Sequence, residues 1–126
     1  MNKGNLIQNG VHMQDHEFQT VKLLLAQGYN IELIPPSQIK GLRMPDIIMN
    51  GMRWEIKAPQ GNGKYTVQNT IQNAARQSCN IIIDLHRCRI PEEKAIRDFI
   101  NEYTKSRYVR RMKIIRKNNE ILDFCK

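Results

Sequence analysis

The chain has 126 residues, which is the size of one compact domain with its own hydrophobic core. Its 20 Lys and Arg outnumber its 12 Asp and Glu, and the net charge of +8 favours polyanionic partners: nucleic acid first, then an acidic protein, then a membrane surface. No apolar run approaches the roughly 20 residues of a membrane-spanning helix, and the three scattered cysteines suggest neither a zinc site nor a disulfide framework.

Hydrophobic periodicity and turn residues divide the first half of the chain. The polar residues 1–10 predict a frayed arm, and apolar residues at helical spacing predict a helix that ends before Gly28. Two short apolar runs meet at Asn50-Gly51, a dipeptide that favours a tight hairpin turn. The predicted elements are a helix over 11–27, a strand over 29–34, a loop over 37–43 with the bases Lys40 and Arg43, and hairpin strands over 46–49 and 52–57.

The second half alternates helices and strands. The continuous apolar run that starts at Asn80 predicts a central strand buried on both faces, and Pro91 marks the start of a helix. The order predicts an α/β (α+β) fold in which helices pack on a mixed β-sheet, with one helical crossover between parallel strands, at 66–79. The predicted elements are a loop over 58–65, a helix over 66–79, a strand over 80–85, a basic loop over 86–90, a helix over 91–105 and hairpin strands over 108–116 and 120–124.

The first hairpin carries the most distinctive chemical pattern of the chain. Pro45-Asp46 is followed nine residues later by Glu55-Ile56-Lys57. Because side chains alternate along a strand, Glu55 and Lys57 share one face, and Asp46 lies on the neighbouring strand within reach of Glu55. Two carboxylates and one ammonium group suit a divalent cation and a phosphodiester substrate. The alternative is an ordinary surface ion pair of the acids with Lys57 or Arg53.

These residues resemble two related groups of nucleases. The chain resembles the PD-(D/E)XK nuclease superfamily in Pro45-Asp46, in Glu55-Ile-Lys57 and in the αβββαβ order over roughly residues 13–85. The chain also resembles the C-terminal tRNA-cleaving toxin domains of contact-dependent growth inhibition proteins of the CdiA type. This resemblance rests on residues 54–59, the Gly-rich loop over 58–65, the amide-rich helix over 66–79 and residues 80–84. The resemblance implies a restriction-endonuclease-like core with an added C-terminal helix and β-hairpin, in a single nuclease domain over residues 1–126.

The resemblance also implies partners and a site of action. It implies nucleic acid as substrate, with tRNA favoured, and a cognate immunity protein that neutralises the toxin. The site of action would be the cytoplasm, after delivery from another cell as part of a larger secreted protein. Because the chain starts with its own Met1, a free-standing relative stays open as the alternative to an excised domain.

The resemblance assigns roles to residues of the hairpin and of the first helix. Asp46, Glu55 and the main-chain carbonyl of Ile56 would hold Mg²⁺ or another divalent cation, which polarises the scissile phosphate. Lys57 would orient or deprotonate the attacking water, or neutralise the transition state, and these roles stay open. Glu17 would supply a further acid from the first helix, with an ordinary first-turn helix acid as an equal alternative.

The amide-rich face of the helix over 66–79 is the predicted substrate wall, with a merely solvated face as the alternative. Thr66 is favoured as the helix N-cap over a phosphate ligand. The loop before the helix does not fit the phosphate-binding pattern of NTPases, because Ala58 replaces the first glycine and Tyr65 follows the lysine. The substrate-contact candidates are Lys64, Thr66, Gln68, Asn69 and Gln72.

Several other interpretations stay open at this point. The protein can be a metal-dependent DNA endonuclease of the same superfamily, or a non-catalytic nucleic-acid-binding module. A metal-free RNase can act through His16 or His86 as acid and base. The basic segments over 86–89 and 108–113 are phosphate contacts or, as the equal alternative, charges on a solvated edge strand that deter unwanted pairing.

Overall fold

The computed structural model describes residues 3–42 and 44–126, so Arg43 of the predicted loop and the first two residues of the predicted arm lie outside it. Within these ranges, one mixed sheet of seven strands is flanked by three helices, which confirms the predicted α/β (α+β) class. Within the described residues, every helix is too short or too polar to span a bilayer. The elements are β1 (Leu6–Ile7), α1 (Asp15–Ala26), β2 (Ile31–Leu33), β3 (Ile47–Met49), β4 (Met52–Lys57), α2 (Thr66–Ala75), β5 (Asn80–Asp84), α3 (Glu92–Lys105), β6 (Arg111–Ile115) and β7 (Ile121–Cys125).

The strands lie in the sheet in the same order as in the chain. Strands β1 and β2, β4 and β5, and β5 and β6 are parallel pairs, and the other neighbours are antiparallel. Each parallel pair is joined by a helix, as parallel pairing requires a crossover. The prediction of a single crossover was therefore wrong, because α1 and α3 connect parallel strands as α2 does.

Residues 6–7 form a strand where the sequence predicted a frayed arm. Leu6 pairs with Ile31 of β2, and its side chain packs on the apolar cluster beneath α1. Ahead of the strand, the Gly4 N–H donates to the carbonyl of Leu25 at 2.8 Å. A strand of two residues is too short to show an alternating pattern, so the sequence contained no signal for it.

Two apolar clusters hold the helices to opposite faces of the sheet. Val21 of α1 packs with Trp54 and Ile56 of β4, whereas α2 and α3 pack on the other face. In β5, Ile82 belongs to the α1 cluster, and Ile81 and Ile83 belong to the α2–α3 cluster. This strand is therefore buried on both faces, as its continuous apolar run predicted.

The second basic segment does not lie on an edge strand. Strand β6 pairs with β5 on one side and with β7 on the other, which rules out the edge-strand explanation of its charges. The Lys113 side chain is only 12% exposed and forms an ion pair with Asp123. Its Nζ lies 5.0 Å from the ring centroid of Tyr29 and 5.5 Å from that of Trp54. Lys113 therefore contributes to packing within the protein.

The turn between β3 and β4 forms as its dipeptide predicted. Asn50 and Gly51 have φ angles of +53° and +77°, the left-handed values that a two-residue hairpin turn requires. This turn sets the register in which Met49 pairs with Met52 and Ile47 pairs with Trp54.

Replacing Gly51 with Ala is expected to lower the free energy of unfolding by about 1–2 kcal/mol, because an L-residue is strained in the left-handed region. The space around an added Cβ is open, so the effect reports backbone strain alone. Urea denaturation measures it. The control is Gly63→Ala, whose added Cβ would lie at an ordinary 3.6 Å from Thr66 Oγ1. Equal stability of the two variants would contradict the expectation.

Candidate active site

The pairing of β3 with β4 places Asp46 beside Glu55. The Asp46 N–H donates to the Trp54 carbonyl at 3.1 Å, and the Ile56 N–H donates to Asp46 Oδ2 at 2.8 Å. The Asp46 carboxylate thus accepts the hydrogen bond that a main-chain carbonyl of β3 would accept if the β3–β4 ladder continued. Because the N–H and C=O of a strand residue point to the same side, the Ile56 carbonyl lies at the edge of β4 that faces β3, where Asp46 lies.

Glu55 is an almost fully buried acid with one oxygen left free. Its side chain lies on the sheet face opposite Trp54 and Ile56, as alternation along β4 predicted, and the residue is 3% exposed. Oε2 lies 3.3 Å from the Nζ of Lys57, whereas Oε1 is buried with no hydrogen-bond partner among the described residues. Burial, and then the negative charge of Asp46, raises the pKa of Glu55 to about 8.

Glu17 joins this pair from the first turn of α1. Burial and the charge of Asp46 raise the pKa of Glu17, and burial is also the main cause that raises the pKa of Asp46. The charge of Lys57 opposes the increase in pKa at all three acids. The structure therefore places Asp46, Glu55 and Lys57 side by side on the hairpin, with Glu17 of α1 near enough to interact electrostatically with Asp46 and Lys57. We call Glu17, Asp46, Glu55 and Lys57 the acid cluster.

The donor atoms of the acid cluster suit a hard cation. Mg²⁺ prefers oxygen ligands, keeps several waters and commonly uses only one or two carboxylates. In residues 3–42 and 44–126, no three acidic, histidine or cysteine side chains converge into a ready-made metal cage. Asp46, Glu55 and the Ile56 carbonyl are the oxygens that would hold such an ion, and the unpartnered Oε1 of Glu55 has free capacity for it.

The predicted substrate residues spread along the surface of α2. Lys64 and Gln68 line a cleft of about 690 Å³ between the Gly-rich loop and α3, where the Lys64 Nζ lies 5.6 Å from the ring centroid of Tyr65. Gln72 lines a second cleft, between the C-terminal ends of α2 and α3, and Asn69 is exposed. The described walls of these two clefts do not include the acid cluster.

Thr66 is the first residue of α2, and the prediction of an N-cap was wrong. The cap position belongs to Tyr65, which makes no side-chain cap hydrogen bond. The Thr66 N–H instead donates to the Gly63 carbonyl at 3.2 Å, so a turn leads directly into the helix. An added Cβ at Gly61 would lie 2.8 Å from Thr66 Oγ1, so the loop packs closely on the start of the helix.

One buried polar network was missed from the sequence. Asp84, at the end of β5, accepts hydrogen bonds from the Thr20 hydroxyl and the His86 N–H, and its Oδ1 lies 2.6 Å from His86 Nδ1. An acid inside a strand buried on both faces requires such partners, and this was the available signal. His86 shares a cleft with His16, the other histidine considered for metal-free chemistry.

Comparisons with known proteins place this chain in a family. The family model described as the contact-dependent growth inhibition CdiA C-terminal domain matches residues 43–121, which include Asp46, Glu55 and Lys57. Among solved structures, the chain is similar to a CdiA-CT/CdiI toxin and immunity complex from Burkholderia pseudomallei, with 21% identity, a TM-score of 0.70, and coverage of 98% of this chain and 100% of that chain. At this identity the likeness shows a shared fold. No curated protein matches the chain. Because the family model covers more than half of its residues, the chain belongs to the family of CdiA C-terminal domains of contact-dependent growth inhibition.

Proposed function

We propose that this domain is a metal-dependent nuclease toxin that cleaves tRNA. The observation that carries the proposal is Glu55, a buried carboxyl beside a second carboxyl and an ammonium group, whose Oε1 accepts no hydrogen bond from a donor group of the described residues. Crowded buried acids destabilise a fold, so their presence favours a chemical role. The spacing from Asp46 to Lys57, on an antiparallel hairpin next to a crossover helix, fits the PD-(D/E)XK superfamily. The net charge of +8 suits a polyanionic substrate.

The residues of the acid cluster divide the work of phosphodiester hydrolysis. When bound, Mg²⁺ would polarise the scissile phosphate and stabilise the charge that develops on it. Asp46 is held in place by the Ile56 N–H, which orients its carboxylate on the hairpin. Lys57 places a positive charge where the transition state gains negative charge, and its donors can orient the attacking water. Glu17, on the side of α1, can accept a proton from that water.

Mg²⁺ affinity of the protein is expected to rise with pH, because Glu55 must lose its proton to become a ligand. With its pKa at about 8, affinity should increase by up to about tenfold per pH unit below that value and level off above it. Isothermal titration of Mg²⁺ into the RNA-free protein across this pH range measures the effect. Glu93→Gln, which removes an acid with an 80% exposed side chain from α3, serves as the control and should keep the same profile. Affinity that does not change with pH would contradict the assignment of Glu55.

An immunity protein and delivery from another cell belong to the same proposal. The similar solved chain comes from a toxin and immunity complex, and we extend that arrangement to this chain. The domain would then travel as the C-terminal part of a larger protein and act on tRNA in the cytoplasm of the cell that receives it.

Incubation of the purified protein with total RNA and with plasmid DNA, with Mg²⁺ or with EDTA, tests the proposal. Loss of the tRNA bands with Mg²⁺ alone is the expected result. Nicking of the plasmid would identify a DNA endonuclease instead. Cleavage that persists in EDTA would overturn metal dependence and direct attention to His16 and His86. Binding of RNA without any cleavage would identify a non-catalytic module.

A further inference from the structure

A cleft between α1 and the sheet carries basic side chains that the proposed mechanism does not use. It has a volume of about 600 Å³ and lies between α1 and the carboxyl ends of β4 and β5. Its wall residue His16 precedes Glu17, and its wall residue Ala58 follows Lys57, so the cleft adjoins the ends of α1 and β4 that carry two members of the acid cluster. The basic side chains in its wall are His16, Lys22, His86 and Arg87.

His86 is held in this wall by a buried carboxylate. Asp84 is 5% exposed, and its Oδ1 lies 2.6 Å from His86 Nδ1 and accepts the His86 N–H at 2.9 Å. Its Oδ2 accepts the hydroxyl of Thr20, so both oxygens are paired inside the protein. The other ring nitrogen of His86, Nε2, lies 2.7 Å from Oδ1 of the exposed Asn119, in the turn between β6 and β7.

The charge of the cleft favours an anionic ligand. Lys22 is exposed and Arg87 is half-buried, and both are basic side chains. Among the described wall residues, Asp84 is the only acid, and both of its oxygens are paired within the protein, with His86 and Thr20. With Nδ1 facing Asp84, the imidazolium form of His86 donates from Nε2, and the neighbouring guanidinium group of Arg87 supplies further N–H donors, which suit phosphate oxygens.

We propose that this cleft is a phosphate subsite that binds the substrate strand next to the cleaved bond. His86 and Arg87 contact phosphate oxygens of the RNA backbone, and Asp84 is a positioning residue that holds the imidazole ring. A phosphate oxygen takes the place of the Asn119 side-chain oxygen at Nε2. The proposal rests on the proposed nuclease function, because the subsite would hold the strand that the acid cluster cleaves. Contacts of this kind place the strand without reading its sequence.

Binding of tRNA to the Glu55→Gln protein in EDTA, measured by fluorescence anisotropy across a salt series, tests the subsite. Arg87→Gln and His86→Gln should each weaken binding about fivefold to tenfold at about 0.1 M salt, because each removes a phosphate contact. Arg87→Gln should also make the slope of log affinity against log salt shallower by about 0.7–0.9. The matched control is Arg97→Gln, which removes one exposed charge from α3, outside the cleft. It should leave the slope unchanged.

Effects of Arg87→Gln and His86→Gln no larger than that of Arg97→Gln would overturn the subsite.

The role of Asp84 is tested by Asp84→Asn, which should weaken tRNA binding as much as His86→Gln does. The double variant should bind tRNA no more weakly than His86→Gln alone. Additive losses would overturn the positioning role. If Asp84→Asn does not fold, the His86 and Arg87 variants at the protein surface still decide the outcome. If the wild-type protein cuts tRNA but Arg87→Gln does not change the salt dependence of tRNA binding, the subsite alone is refuted. If the wild-type protein cuts nothing but Arg87→Gln does change this salt dependence, the nuclease function alone is refuted.

Discussion

Replacing Glu55 with Gln is expected to reduce tRNA cleavage by about 10³-fold, because the charge stabilisation that a bound metal supplies contributes several kcal/mol. Gln keeps the shape of the side chain but removes the carboxylate that would hold the cation. The same change should make the metal-free domain more stable at alkaline pH, because a neutral amide does not have to ionise in a buried position. Loss of activity with a gain in stability separates a catalytic acid from a structural one.

The gain in stability should depend on pH. The Glu55 carboxyl loses its proton near pH 4.5 in the unfolded chain and near pH 8 in the folded protein, because burial and Asp46 raise its pKa. Between these values the folded state binds more protons, so wild-type stability falls as pH rises. The melting temperature of Glu55→Gln relative to wild type should therefore increase through this range and reach its maximum above about pH 8.

Glu93→Gln is the control for this experiment, since Glu93 has an 80% exposed side chain that pairs with Arg116 at 2.9 Å. It should retain wild-type cleavage and show no comparable dependence on pH. Scanning calorimetry and a gel assay of tRNA cleavage provide the two measurements. Wild-type cleavage by Glu55→Gln, or a melting temperature below that of wild type at every pH, would refute the role of Glu55.

Replacing Lys57 with Ala is expected to lower the rate of cleavage by about 10²–10³-fold, the usual effect of removing a group that stabilises developing charge. The pH optimum should also move upwards. The charge of Lys57 lowers the pKa of Glu17, Asp46 and Glu55, so without it these carboxyls keep their protons to higher pH. Single-turnover rates at saturating Mg²⁺ across a pH series measure both effects.

Lys57→Arg separates the two roles that the sequence left open for Lys57. A guanidinium group keeps the positive charge but cannot lose a proton at any pH of the assay. Partial activity of Lys57→Arg would indicate charge stabilisation, and activity as low as that of Lys57→Ala would indicate a general base. An unchanged rate and pH optimum in Lys57→Ala would remove Lys57 from the active site.

Local patterns were sufficient for most of the elements and insufficient for some of their pairings. The Asn50-Gly51 dipeptide and the apolar run at Asn80 each identify their structure within a few residues, because turn geometry and two-sided burial act locally. Strand β1 was missed because Leu6 and Ile7 are too few to show a period. The parallel pairing of β6 with β5 was missed because it joins residues about thirty positions apart, and a local pattern does not identify a distant partner.

In the candidate site, too, local patterns placed some residues and missed others. Asp46, Glu55 and Lys57 could be placed together because one turn and the alternation of a strand determine their positions. The approach of Glu17 depends on how α1 lies on the sheet, so only the family resemblance suggested it. The network at Asp84 was missed because its partner Thr20 is 64 residues away in the chain. Their roles in catalysis and binding remain predictions for the experiments above.

The strand order of the sheet has a consequence for how the chain can assemble. Every strand pairs with its immediate neighbours in sequence, from β1 at one edge to β7 at the other. The sheet can therefore grow by adding one strand at a time to an open edge, and no late strand has to insert between two that are already joined. A polypeptide that enters a compartment as an extended thread, with either end first, can build this sheet progressively as it emerges. In such an assembly, the hairpin with Asp46 and Glu55 would join the sheet midway, whichever end leads.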